Sequence, residues 1–491
     1  MPVISVVDSD TAVSFRIRPD PHTPLFLQSL FLVLAAVAPL TGIIVVTALG
    51  IALGNGGGMV GSFLIVTVVL LLFAVGYAQM SKELVNAGGF YAFVLKGLGR
   101  PLALVAALIA LIGYNFFVAG AVGTIGFFAQ TITTQLTGID LHWFLWSVVA
   151  VVAAFLLSRQ GIDFSAKVLG VALVLEVSIL LVFDVAVLLR DGFTTEVFDP
   201  QIVFSGAVGI GLLFAANAFI GVEATGLFSE EARNPIRTIP RATFTAIGFI
   251  GAFAAVTTWA IISAVGATTA QTTAISHLEA GDLVFALSDR YLGSTLTTVM
   301  MLLLLVSLFA ALMALHNSAT RYIYSLSRAR ILPPGLSRTR DNGTPQRASV
   351  AQFTVGVGIA ALFAIFGLEP LTSLVPSMTG FGTLGILVLQ VLAALAVVVH
   401  FRRARDPRLG RTLIAPGLGF LGLVGIVTLA FINFPVLAGS DALVITLLPW
   451  LLLVALVGGL GYAAHLRANR PEVYEALNED LERVEVGRDR T

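Results

Sequence analysis

Twelve stretches of this chain are long and apolar enough to cross a lipid bilayer, and that repetition constrains the fold more than any single motif. A spanning helix needs about 20 predominantly apolar residues. Segments that qualify lie near 25–48, 59–80, 101–130, 142–158, 163–189, 204–227, 242–266, 294–320, 348–367, 372–399, 413–434 and 441–465. Only 11% of the residues are charged, against roughly one quarter in a soluble domain. The chain therefore reads as an all-α membrane protein with twelve transmembrane helices and the lipid bilayer as its surroundings. A formal net charge of zero supplies no global field to attract nucleic acid. With no Cys, disulfides, thiol catalysis and Cys-based metal sites are excluded.

Short cytoplasmic loops carry the Lys and Arg excess in membrane proteins. With the N-terminus inside, only Arg190 and Arg290 of the 28 basic residues fall on the outer side, and shifting the count by one helix would scramble the sorting. The sequence predicts an integral, multi-pass protein of the cell membrane with both termini cytoplasmic. It divides into a tail at 1–24, a core at 25–400, two further helices at 401–466 and a charged tail at 467–491. Residues 55–58, NGGG, form an outer turn; they lack the Lys-Ser/Thr that a phosphate loop needs.

Two segments break the rules for a membrane helix. The first has Pro39 and Gly42 at mid-depth, and the sixth has Asn217, Gly221 and Glu223. Irregular backbone inside a bilayer survives only where it is buried in protein or lines a cavity. Interruptions five spans apart point to two five-helix halves, 1 to 5 and 6 to 10, with a binding site between two broken helices. Simple kinks are the alternative for either segment alone. A broken helix offers N–H groups at one free end and carbonyls at the other, a fit for a zwitterion. On this reading the N–H groups near Thr41, Gly42 and Ile43 take a carboxylate, and the carbonyls near Ala218, Phe219 and Ile220, beside Gly221, take an ammonium.

Three motifs in order resemble the amino acid-polyamine-organocation superfamily: NAGGFYAFVLKGLGRP (86–101), AFIGVEATGLFSEEARNPIRTIPRA (218–242) and HNSATRYIYSLSRARILPPGL (316–336). The resemblance implies a LeuT-like fold of five plus five inverted helices with two added at the C-terminal end. It also implies secondary transport of amino acids or related amines by alternating access. Tyr114 and Asn115 look like third-helix positions facing the substrate, and Leu315 and His316 fall near the eighth-helix substrate face. Asn217 stands where relatives often place a gating aromatic, a role Phe219 would share, and the frequent Gly-x-Gly of the first helix is here Leu40-Thr41-Gly42.

Ionisable residues inside a bilayer are functional candidates by default. Glu223 either accepts the backbone N–H groups freed at Gly221 or carries a proton. Glu176 and Asp184, eight apart, share one helix face; they hold protons or a cationic amine, or else they bond a neighbouring helix and the headgroups. His316 either packs or senses pH. Lys167 sits at the cytoplasmic edge, as the positive-inside rule requires. The hydroxyls of Ser318 and Thr320 are available to sodium, though such groups also bond helix carbonyls.

The function expected is permeation of a small amino acid or amine with a proton as coupling partner, with substrate/product exchange as the alternative and no cofactor or metal. An ion channel is disfavoured, since no acidic or basic stripe runs along a span. An enzyme is disfavoured because the six His, at 22, 142, 277, 316, 400 and 465, are scattered. A neutral amino acid is preferred over a polyamine or ethanolamine-like cation, for want of a charged stripe along the broken helices. Oligomeric state stays open.

Overall fold

The computed structural model describes residues 38–84, 89–160, 166–223, 235–340, 344–438 and 443–477, and every regular element among them is helical. The helical run 39–55 is α1. Met59–Glu83 is α2, Gly89–Leu98 is α3, Arg100–Thr137 is α4, Trp143–Gln160 is α5 and Ala166–Arg190 is α6. Val208–Asn217 is α7, Pro235–Val265 is α8, Leu283–Leu292 is α9 and Ser294–Arg328 is α10. Gln346–Ile365 is α11, Val375–Arg403 is α12, Ala415–Asn433 is α13 and Trp450–Asn469 is α14.

Nine of the described helices are long and apolar enough to cross a membrane, counting Pro39–Glu83 as one run. That run merges the first two predicted segments. The fourth and sixth appear as the shorter apolar helices Trp143–Ser158 and Val208–Asn217. Within the sixth, the helix ends at Asn217 and turns follow through Glu223, at the interruption read from the sequence, and 224–227 lie outside the described residues. The predicted tail at 1–24, the first half of the first segment and the charge run Glu230 to Arg233 lie outside the described residues. From the C-terminal tail, Pro471–Ala476 forms a short helix.

The centre is α4, which packs on α12, α10, α5, α14 and α11. Its seam with α12 is made by glycine. A Cβ on Gly382 would stand 2.6 Å from the Phe117 amide nitrogen, and one on Gly385 would stand 3.0 Å from the Gly113 Cα. Gly120 and Gly123 continue the seam against Thr379 and Leu374. Small residues let membrane helices approach backbone to backbone, where dispersion replaces the hydrophobic drive that lipid cannot supply.

Loops gather by end. At one end His400 meets Glu83 at 2.9 Å, Arg403 donates to the Gly97 carbonyl and Arg408 to Gln79. At the other end the two basic residues assigned to the outside come together around Tyr291. The guanidinium groups of Arg190 and Arg290 lie 5.4 and 5.2 Å from its ring, and its hydroxyl donates to Asp191.

Candidate substrate site

The two interrupted segments lie side by side. Away from their broken ends α1 and α7 cross on glycines: a Cβ on Gly54 would fall 2.7 Å from the Gly211 nitrogen, and the Ala207 N–H donates to the Gly54 carbonyl at 3.0 Å. At their broken ends a Cβ on Gly42 would stand 3.9 Å from that of Ala218. The start of α1 and the end of α7 therefore meet at one depth.

α1 starts where Ala38 turns into the left-handed region (φ 49°, ψ 77°), ahead of Pro39. Proline is tolerated in a first helical turn because its missing N–H is not needed there. Pro39, Gly42 and Ile43 then fall on one side of the helix and Thr41 on the other. The first three line a small apolar cavity with Ala218 and the α8 residues Phe249, Ile250, Phe253 and Ala254. It measures about 10 Å3 at the scale of a water molecule, room for one. Thr41 points instead to α10, where its Oγ1 bonds Ser307 Oγ at 3.1 Å. By helical phase the Thr41 hydroxyl turns away from the cavity that Gly42 and Ile43 line.

The amides are also redistributed. The Gly42 N–H turns back to the Ala38 carbonyl at 3.0 Å. The N–H that leaves the helix for a carboxylate is that of Leu40, at 3.2 Å, and the carboxylate is Glu176 Oε2 of α6. Ser307 Oγ donates to the same oxygen at 2.9 Å. Glu176 is buried and ties the break of α1 to α6 and α10.

Beyond Asn217 the chain makes tight turns. The N–H groups of Phe219, Ile220 and Val222 donate to the carbonyls of Ala216, Asn217 and Phe219 at 3.0, 3.0 and 3.1 Å. Gly221 then takes φ +111°, open to glycine and strained for other residues. Its N–H donates to Glu223 Oε2 at 2.9 Å, and Glu223 Oε1 accepts the Tyr114 hydroxyl at 2.7 Å. Tyr114 lies against Tyr322 of α10, ring centroids 4.9 Å apart. Phe219 and Ile220 are buried beside this turn.

The side chains of the other predicted residues make the following contacts. Asn217 Nδ2 donates to Thr383 Oγ1 on α12 at 2.9 Å, anchoring the end of α7. Asn115 donates to the Leu111 carbonyl of its own helix at 2.7 Å. Asp184 accepts from Thr257 of α8 at 2.9 Å, while its Oδ1 finds no partner among the described residues. It is buried. Leu315 is buried in α10 but does not line the cavity. His316, read as near the substrate face, is turned to α11. Its ring stacks on Phe353 at 3.6 Å, Nδ1 meets Gln352, and Nε2 meets Ser349 at 2.9 Å.

Sequence reasoning passed over the α8 wall. Phe249, Ile250, Phe253 and Ala254 repeat at i, i+1, i+4 and i+5, one face of a helix. In a segment apolar throughout, that face does not stand out. Ser307 and Thr257, the hydroxyl partners of the two α6 acids, were also missed. Only the pairing in space identifies them.

A sequence model of the family described as amino acid permease matches residues 25–459. The branched-chain amino acid permease BcaP of Bacillus subtilis is 26% identical over 463 residues, covering 88% of this chain and 91% of that one. The histidine permease HisP of Lactococcus lactis is 24% identical, covering 74% and 79%. Among solved structures, a mutant of the manganese transporter of Eremococcus coleocola superposes with a TM-score of 0.54 at 12% identity, covering 95% of this chain and 97% of that one. That likeness is one of fold.

Proposed function

Because the chain belongs to the amino acid permease family, we propose that it carries a neutral amino acid with an apolar side chain across the cell membrane. It does so by alternating access, in symport with a proton, with both termini cytoplasmic. The observation that carries this reading is the meeting of the two broken helices, Gly42 against Ala218, around a cavity with apolar walls. The α-carboxylate goes to the N-terminal end of α1, which is positive. The ammonium goes to the carbonyls of Ala218 and Ile220, which the turn bonds among the described residues leave unused. The side chain enters between Ile43 and the α8 wall of Phe249, Ile250, Phe253 and Ala254.

An aliphatic group transferred from water to such a wall gains about 0.8 kcal/mol per CH2, whereas a charged side chain finds no counter-charge there. Two relatives are named for branched-chain amino acids, which agrees with an apolar wall. The cavity as it stands admits about one water, so entry requires α8 to part from α1 and α7.

Radiolabelled leucine, isoleucine and valine, offered to proteoliposomes under an acid-outside gradient, test the reading. Saturable uptake is expected, competed by one another and not by arginine or putrescine. Uptake of arginine or putrescine in preference to leucine would overturn the substrate class. Uptake that needs a preloaded interior would replace symport by exchange.

A further inference from the structure

Resting on the transport reading above, we infer that Glu176 is the residue that takes up and releases the driving proton, and that it couples by competing with the substrate carboxylate for the start of α1. The geometry supplies the competition. Glu176 Oε2 holds the Leu40 N–H at 3.2 Å, an amide that can only donate, and the Ser307 hydroxyl at 2.9 Å, itself bonded to Thr41 at 3.1 Å. The positive end of a half-helix is thus occupied by a carboxylate of the protein, one turn from the cavity that the substrate would enter.

A second carboxylate arriving there faces a like charge in a poorly solvated site, where repulsion is strong. Protonation of Glu176 removes the conflict. The carboxylate takes one proton from outer water and becomes a neutral acid, and the substrate carboxylate gains the helix end. On the inner side the acid returns the proton to water, and its carboxylate reclaims the Leu40 N–H as the substrate leaves. One proton and one zwitterion cross per cycle. Binding linkage requires the converse as well: substrate strengthens proton binding as much as the proton strengthens substrate binding.

No other titratable group is placed to do this among the described residues. α6 packs on α8, α10, α9 and the start of α1. α1 has no titratable residue. α8 has none between Arg241 and its end at Val265, and α10 has none before His316, which is turned to α11. Asp289, Arg290 and Tyr291 of α9 lie with Arg190 and Asp191 at the outer end. On α6 itself Asp184 is two turns away and bonded to Thr257 of α8. Glu223 is held by Tyr114 and Gly221.

The test uses the purified full chain in proteoliposomes, with L-leucine and its decarboxylated analogue isoamylamine as probes. In the wild type, leucine binding is expected to weaken at least tenfold from pH 5.5 to pH 8, while isoamylamine binding does not follow that dependence. Glu176→Gln is expected to bind leucine equally at both pH values and to keep counterflow, but to lose the response of uptake to the proton gradient. Gradient-driven uptake retained in Glu176→Gln would overturn the inference. Should that variant not fold, Ser307→Ala removes one donor to the same oxygen and is expected to move the pH midpoint of leucine binding by about one unit; an unmoved midpoint overturns the inference equally. A wild type that takes up neither leucine nor any other amino acid would instead sink the transport reading. Uptake without any proton dependence would leave transport standing and remove the coupling.

Discussion

A single methyl group added at Gly42 separates the demands of folding from those of transport. A Cβ there stands 3.9 Å from Ala218 Cβ, an ordinary contact, with no other non-local heavy atom of the described residues within 4 Å. Gly42 has helical dihedrals (φ −56°, ψ −39°), and replacing Gly by Ala inside a helix favours folding by roughly 0.5–1 kcal/mol. Gly42→Ala is therefore expected to melt at or slightly above the wild-type temperature. The same methyl takes up the cavity of about 10 Å3, so a bound side chain must overpack. Overpacking costs about 1–3 kcal/mol, which converts to a KM raised roughly 5- to 150-fold. Gly42→Leu is expected to abolish uptake. The measurements are leucine uptake kinetics in proteoliposomes and the thermal melting of the detergent-solubilised protein. Wild-type KM in both variants would refute the placement of the site, and collapse of Gly42→Ala would refute the packing argument.

Four further outcomes follow from the same geometry. Tyr114→Phe keeps the ring against Tyr322 but removes the hydroxyl from Glu223; an unmade bond to a buried group costs about 1–3 kcal/mol, so uptake is expected to fall severalfold or more with the fold intact. Asn217→Ala frees the end of α7 from Thr383 and is expected to slow all substrates alike, which competition assays across amino acids will show. His316→Gln is expected to lower stability by about 1–3 kcal/mol and leave the shape of the uptake–pH profile unchanged, since the ring is bonded within α10 and α11. In the loop between α12 and α13 the Arg408 guanidinium beside Asp406 holds its carboxyl below the usual carboxylate range. A depressed carboxyl stabilises above its unfolded value of about 3.9 and loses that contribution as pH falls through the folded value. Asp406→Asn should flatten the acid limb of thermal stability below about pH 4 and leave uptake at neutral pH unaltered.

The breaks were legible because they leave residues that a plain spanning helix has no use for. Pro39 stands at the first residue of α1 with Gly42 one turn on, and Asn217 is the last residue of α7, with Gly221 and Glu223 in the turns that follow it. The side-chain directions at those breaks were not legible. Thr41 and Gly42 are adjacent, yet helical phase sends one to α10 and the other to the cavity. His316 sits near the face expected of it in sequence but turns to α11, because Gln352, Ser349 and Phe353 there satisfy an imidazole. Glu176 and Leu40 are 136 residues apart, and no local pattern announces such a pair. The wall of α8 is hidden for the opposite reason, since Phe249 and Phe253 are apolar side chains in a segment of apolar side chains.

Where α4 and α12 touch through Gly113, Gly382 and Gly385, there is no side chain to exchange and no slack to absorb one. A substitution in that seam forces whole helices apart, so its sites offer no gradual route to a new specificity. The opposite wall is built of methyl and phenyl groups on Ile43, Phe249, Ile250, Phe253 and Ala254, and each can be enlarged or trimmed in small steps. The molecule therefore keeps its chassis and its upholstery in different helices, and with the site placed as proposed, variation in cargo is easiest to explore on α8.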